Sequence, residues 1–594
     1  MKHIWLILVL FWGIPALGQA DFLAKQYLND GDYEKAVVFY ERLVKDNPRR
    51  PDYVEGLLSC YQQLERFQDA EKLLLDRINS KSASPSLHIE LGYNYVLQNL
   101  PEEAEQAYEK ALTYIDSNPN FGYLIGMRFE RYALLDYALR AYSKAMTINP
   151  QLDYNYYKAR IYGEKGDVEK MYGAFLELLV KGKSPKASIL RNIDNFISQN
   201  PQDPNNLTLK KLLLQKAQTN PDLLWNELLS WLFVQQRQFN LAFIQEKAIY
   251  RRAAENDLQR MESLGEIALE AGAHNQAIPI FEFIEKNSIN PVTRLNAQLN
   301  LIDIELLDTT DKILERIDGR FRNLISQYGY QPETLQLQIA YANFLTFRRG
   351  LPGEGEAILK KSLDLPLTKY MEAYVKIALG DILVFGQKFN EALINFSQIQ
   401  KRLKNDPLGQ EARFRVAQTS FYKGDFDWAL TQLKVLRGSS TQLIANDAMQ
   451  LSLLISDNTL EDSTQTALKK FARADFLAYQ NKTTEAIKTL DEILKKHKGE
   501  KIEDEALLKQ GQLLEEMQDY DAARLNYLKV VEFYGQDILA DDAHFAIAEL
   551  YRNYLDQPEK AKYHYEQIIY NFQDSYYFPL ARKNFRILRG DVVN

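Results

Sequence analysis

The sequence predicts an all-α chain, a solenoid of stacked antiparallel helix pairs with an irregular helical middle. Three observations carry this. Small and aromatic residues recur at a fixed spacing along much of the chain. The length, 594 residues, exceeds the roughly 300 residues at which single cores stop growing, which leaves several domains or a stack whose units pack only on their neighbours. Composition fits helices with aromatic knobs between them: 36 Tyr against 27 Gly and 19 Pro, with 46% hydrophobic residues, a balance that argues against disorder.

The pattern is clearest from Leu91 to Pro119. Leu91-Gly92-Tyr93-Asn94-Tyr95 lies on a first helix, and Pro101-Glu102-Glu103-Ala104, Tyr108 and Ala111-Leu112 lie on a second. Gly92 and Ala104 remove bulk where the helices cross, and Tyr95 and Tyr108 fill the space beside them. Pro101 stands where a first helical turn accepts proline, and Pro119 closes the unit. The spacing Leu-Gly-x2-Tyr, Ala-x3-aromatic, Pro resembles the tetratricopeptide repeat, whose period is about 34 residues.

Taken in order, residues 1–20 stand apart. Lys2, the apolar run Ile4 to Trp12 and the small residues up to Ala20 predict a cleaved secretory signal peptide. The run is short of the ~20 residues that span a membrane, and no lipoprotein cysteine follows it. Residues 21–181 hold five units. The first has Ala24, Gly31-Asp32-Tyr33, Ala36 and Tyr40, with Gly31 as a helix C-cap; the others centre on Ala70, Ala104, Ala138 and Met171. Residues 182–331 are expected to be degenerate helical repeats. Pro201, Pro204 and Pro221 are read there as helix breakers, with one clear unit at Gly265, Ala277 and Phe281. Residues 332–457 begin with an imperfect unit, Gly350 to Gly355 as its turn and Ala342 and Ala357 as its small residues. Units at Gly380, Ala392 and Phe396 and at Ala417, Gly424 and Ala429 follow. Asn458 to Thr464 reads as a loop, and residues 458–594 hold three closing units on Ala486, Ala523 and Ala561. Beyond the signal there is room for roughly sixteen units, of which about ten are legible.

Chemistry is hard to find. Net charge is −8 with both signs interspersed, and no basic run with interleaved aromatics suggests nucleic acid. The single cysteine, Cys60, reads as a small buried residue. No phosphate loop, nucleophile elbow or metal-ligand spacing is present. His88, His274 and His497 are scattered, while His544 and His564 fall on neighbouring late helices. Glu102-Glu103 and Asp541-Asp542 sit at expected helix starts, where negative charge suits the dipole. The expectation is no enzyme, no cofactor and no metal; the mark of a hidden enzyme would be a compact pocket in the degenerate middle with clustered titratable groups. Asp308-Thr309-Thr310 and Asp462-Ser463-Thr464 look like bacterial O-glycosylation acceptors, and Asn206 stands in an Asn-x-Thr triplet.

The resemblance implies a right-handed superhelix with a concave groove, lined by first helices, that holds a peptide or partner helix. Carried onto this sequence, the groove is Tyr93, Tyr123, Met127, Tyr156 and Arg160 in the N-terminal segment and Ile377, Asp381, Phe414, Gln418 and Phe421 in the C-terminal one. The positions that clamp a terminal carboxylate in chaperone-binding members are not reproduced. The late joints Phe533-Tyr534-Gly535 to Ala543 and Phe572 to Ala581 resemble those of periplasmic outer-membrane-assembly and Tol–Pal repeat proteins, although the joint proline is missing. The expected function is a periplasmic scaffold binding protein or peptide partners of the envelope. Its rival is an outer-membrane or cell-wall assembly factor acting through the C-terminal repeats, with peripheral outer-membrane association.

Overall fold

The computed structural model describes residues 15–80, 84–253, 257–438, 442–459 and 464–591. Among these it holds 32 α-helices, from Pro15–Asn29 to Phe578–Arg589, and no strand. The expected all-α repeat solenoid is therefore the fold. The chain forms two compact units, Met1–Gln236 and Arg237–Asn594, a division that falls inside the 182–331 segment.

Within each unit the hairpin is explained by one recurring contact. Helix Leu87–Leu97 brings Gly92 against Tyr108 of helix Pro101–Ser117, so closely that a Cβ on Gly92 would lie 2.3 Å from the ring. Gly126 meets Tyr142 in the same way. In the second unit Gly265 meets Phe281, Gly380 meets Phe396 and Gly511 meets Tyr527. The rings are among the large core side chains; Tyr142, Tyr527, Phe281 and Phe396 are fully buried. One hairpin cannot cover both faces of such a ring, so the next repeat must. Each tight turn between paired helices needs one left-handed residue. Gly31, Gly166, Gly272 and Gly424 supply it in four turns, whereas Glu65, Asn99, Ala133, Gln387, Asn481 and Gln518 adopt positive φ in others.

The irregular parts depart from the sequence reading in specific ways. Pro204 does not break a helix; it opens Pro204–Thr219 at the first position, where Asp203 caps the backbone of Asn205 at 2.9 Å. That helix packs on Val168–Val180. Gly353 and Gly355 are not turn residues either, because Pro352 already starts helix Pro352–Leu363. The small residue facing inward there is Gly355, whose Cβ would meet Thr346 Oγ1 at 2.5 Å, while Ala357 is exposed. Asn458 and Thr459 end helix Gln442–Thr459 rather than beginning a loop. Residues 1–14, and Asp462 and Ser463 of the second acceptor triplet, lie outside the described residues. Asp308-Thr309-Thr310 is an exposed loop. Asn206 is buried, its amide donating to the Ser198 and Asn200 carbonyls at 2.8 Å each, so it is no glycan acceptor.

Candidate interaction surfaces

In the first unit the helices Pro51–Gln63, Leu87–Leu97, Phe121–Arg131 and Asn155–Glu164 are linked by side-chain ion pairs. Arg128 stitches three of them together. It donates from Nη1 to Glu90 and from Nη2 to Glu55, each at 2.8 Å, and Arg131 reaches Glu55 at 3.4 Å. Glu55 lies two repeats before Arg128, so this contact ties non-adjacent first helices together. Burial lifts the Glu90 carboxyl above its ordinary range, although Tyr132 donates to it and Arg128 faces it. At Glu55 burial works in the same direction, but the Arg128 hydrogen bond wins and holds the carboxyl low. This is a rigid, charge-balanced floor.

All five N-terminal residues expected in the groove lie on these helices. Tyr93 stacks on Tyr132 at 4.2 Å between centroids. Tyr123 stands 5.3 Å from Tyr157, and Tyr156 abuts Tyr157 at 5.9 Å and Phe175 at 6.3 Å. Arg160 lies 3.6 Å from Glu130, which also accepts from Tyr142. Tyr93 and Tyr156 are half-covered, while Tyr123 (43%), Met127 (37%) and Arg160 remain exposed. Aromatic, Met and Arg side chains on a preformed floor are the composition that anchors protein partners.

The C-terminal set is placed differently. Ile377 (8% exposed) and Phe421 (1%) are core residues, which corrects their assignment to a groove. Phe414, Gln418 and Asp381 are half-buried. Ile377 packs with Ala373, Ile399, Leu403 and Ala412, while Phe421 shares a core cluster with Leu468, Phe471 and Leu477 of helix Thr466–Tyr479, which folds back toward Asp381. Tyr479 OH donates to the Asp381 carbonyl at 3.0 Å, Gln480 to that of Phe385 at 2.7 Å and Asn481 to that of Phe347 at 2.8 Å. The rings of Phe347, Phe385, Tyr422, Phe476 and Tyr479 interlock above it. Burial pushes the Asp381 carboxyl up to about 7, opposed by Arg415, whose Nε is 3.1 Å away.

Sequence reasoning missed a cavity of about 840 Å³ in the second unit. Helices Pro291–Glu305, Leu335–Asn343 and Lys369–Phe385 form it with the π-helical turn Phe344–Arg348. Phe321, Leu335 and Phe344 make an apolar floor; Asn296, Gln336, Asn343, Asp303, Glu333 and Arg348 supply polar groups. The signal in the sequence was faint: Asn296 with Asp303, and Gln336 with Asn343, each two turns apart on one helix face. Among the described lining residues there is no Cys, His, Ser, Thr or Lys; the titratable ones are Asp303, Glu333, Arg348 and Tyr374. Elsewhere, Cys60 is buried and its thiol is pushed up to about 11. His544 and His564 meet, Nδ1 to Nδ1, at 3.0 Å.

Family models of the tetratricopeptide repeat match residues 23–85, 85–118, 471–538 and 542–575, so these segments are such repeats. A curated relative, the general transcriptional corepressor trfA of Dictyostelium discoideum, is 24% identical over 125 residues. That stretch is 21% of this chain and only 9% of the relative's length. Among solved structures, a chain in the crystal structure of the APC/C hetero-tetramer Cut9-Hcn1 aligns at 13% identity, covering 98% of each chain, with a TM-score of 0.22. A chain in the structure of Naa15/Naa10 bound to HypK-THB aligns at 12% identity over 97% of this chain and 96% of that one, with a TM-score of 0.25. Superpositions this loose carry no argument about this chain.

Proposed function

We propose that this tetratricopeptide-repeat chain is a non-catalytic scaffold of the bacterial periplasm, and that it holds an envelope protein on the inner face of its N-terminal unit. The observation that carries the reading is the exposure of Tyr123, Met127 and Arg160 on neighbouring first helices, the earlier of which is tied back to two preceding repeats through Arg128, Glu90 and Glu55. Binding energy concentrates in such aromatic and Arg anchors, and a rigid floor lowers the ordering cost of association. The leader read from residues 1–20 supports export. A photo-crosslinking residue at position 123 should yield one discrete adduct in the native envelope, lost with Arg160→Ala, while the same probe at Val38, exposed on a second helix, yields none. Equal labelling at both positions overturns the site. A full-length chain that keeps Met1 in the cytosolic fraction overturns the location.

A specific observation favours the assembly-factor reading as the alternative. Tyr576 is 82% exposed, close in sequence to exposed Tyr563, Tyr570 and Leu580. The last helix, Phe578–Arg589, carries Arg582 and Lys583 and no acidic residue. Aromatics with basic residues suit a membrane–water interface. Tyr576→Ser with Leu580→Ser should release the protein from sedimenting membranes; unchanged sedimentation removes this reading.

A further inference from the structure

We infer that the cavity of the second unit is a separate recognition site for a partner segment that presents an apolar side chain next to a Lys or Arg. At about 840 Å³ it is in the range of specific ligand sites, ~300–1,000 Å³, and it exceeds what one side chain fills. Phe321 and Phe344 are fully buried behind it, and the partly exposed Leu306, Ile339, Phe347 and Met371 give an apolar group entering it a formed surface from which to displace water. Asn296, Gln336 and Asn343 offer amide donors and acceptors above that floor, and such groups suit the peptide bonds of a segment lying across the mouth.

The charge preference follows from Asp303. It is exposed to the cavity, yet protein crowds it closely enough to lift its carboxyl above the ordinary range by loss of water. No cation among the described residues pairs with it. The arginines nearby in sequence are committed elsewhere: Arg316 and Arg320 hold Glu305, and Arg294 donates to the Ser288 carbonyl. Glu333 adds a second carboxylate to the lining, against the single cation Arg348. A desolvated carboxylate without a partner gains most from a cation brought by the ligand. The wall is pre-set as well. Phe347 is held by the Asn481 amide on its carbonyl and by the Phe385 ring at 5.2 Å.

This site lies in the second unit and does not depend on the N-terminal face. The test is selection of a random heptapeptide phage library on the full chain, counter-selected on the Gln336→Trp chain. Position 336 is exposed, so the indole plugs the mouth without entering the core, and matching melting curves confirm the fold. The expected consensus pairs Lys or Arg with Leu, Ile, Met or Phe. A synthetic consensus peptide should bind the parent chain, about tenfold more weakly the Asp303→Asn chain, and with unchanged affinity the Tyr123→Ala chain. Absence of enrichment over the plugged chain, an uncharged or acidic consensus, or equal affinity for Asp303→Asn overturns the proposal. Loss on Tyr123→Ala with retention on Gln336→Trp assigns the peptide to the N-terminal face and also overturns it.

Discussion

At Gly92 even a methyl group has nowhere to go. Its Cβ would stand 2.3 Å from Tyr108 Cε1, and Tyr108 cannot swing aside because the Phe129 and Tyr137 rings flank it at 5.6 and 5.2 Å. Overpacking of this kind costs about 1–3 kcal/mol, so Gly92→Ala should lower the exchange protection of residues 87–117. Gly319 is the control. It sits exposed within helix Asp311–Tyr328, and a methyl group there would have no neighbour within 4 Å. Gly319→Ala should gain about 1 kcal/mol from helix propensity alone. If both substitutions shift stability in the same direction, the close approach is not what makes Gly92 a glycine. Ala133 carries the reverse argument. It is exposed with φ at 54°, a conformation that costs an L-residue with a Cβ roughly 1–2 kcal/mol. Ala133→Gly should therefore raise the denaturation midpoint of its hairpin, and a lowered midpoint would refute the strain.

Between helices the sharpest consequence is in the last repeats. Helix Ala540–Asn553 brings His544 against His564 of helix Pro558–Asn571, under Phe572, Tyr551 and Tyr563. One Nδ1 must donate and the other accept, so the accepting ring is neutral, and burial keeps the donor neutral as well. Burial drops His544 to about 4 despite Asp541, and burial with the His544 charge drops His564 to about 3. Both lie below the ordinary 6.5, so the unfolded chain protonates first; the pair's contribution is full above pH 6.5 and is lost as pH falls toward 4. Asp542 works the other way. Burial and Asp541 raise it to about 6 although Tyr577 donates to it, so its contribution is full below its ordinary 3.8 and fades as pH rises through 6. Two histidines with larger displacements outweigh one aspartate. Exchange protection of residues 540–571, corrected for intrinsic rates, should fall between pH 6.5 and 4.5 ahead of residues 87–117, and His564→Phe should flatten the fall; parallel curves would dispose of the idea. The histidines were visible in the sequence only as neighbours on late helices, because a 3.0 Å approach depends on packing and not on spacing. The same limit explains the rest of what was and was not legible. Gly92, Ala104 and Tyr108 announce their hairpin because sterics force small against large at a fixed offset. Ile377 and Phe421 carry the same first-helix signature, but their exposure is decided by packing that the spacing does not encode: Ile399, Leu403 and Ala412 cover Ile377, and Phe421 joins a cluster with Leu468, Phe471 and Leu477, on a helix whose end reaches back 95 to 134 residues by hydrogen bonds from Tyr479, Gln480 and Asn481. The cavity at Asp303 has no local motif, since three helices each contribute polar residues that alone look like solvated positions. Gly355 rather than Ala357 faces inward because Pro352 starts its helix early and rotates the register.

Over the whole molecule, stability is a sum of hairpins and the interfaces between neighbours, and this has a measurable signature. Each unit is built of repeats that bury their aromatic knobs mainly against adjacent helices, and a chain held in that way need not unfold all at once. The second unit contains one exception, where Thr466–Tyr479 ties three earlier elements together through backbone carbonyls and an aromatic cluster. That region should unfold as a larger cooperative block than the hairpins around it. Trp225, 1% exposed on helix Leu223–Gln235, gives a local reporter in the first unit, whereas helical circular dichroism reports every repeat. In urea the Trp225 signal, isolated by replacing the other tryptophans with Phe, should move at a midpoint different from that of the circular dichroism. The latter should be broad, with a slope below that of a single cooperative core of this size, because slope scales with the surface exposed in one step. Removing the tie with Asn481→Ala and Tyr479→Phe should broaden it further at the high-urea end and leave the Trp225 midpoint where it was. Coincident, steep transitions by both probes would mean that the repeats are coupled far more tightly than nearest-neighbour packing provides.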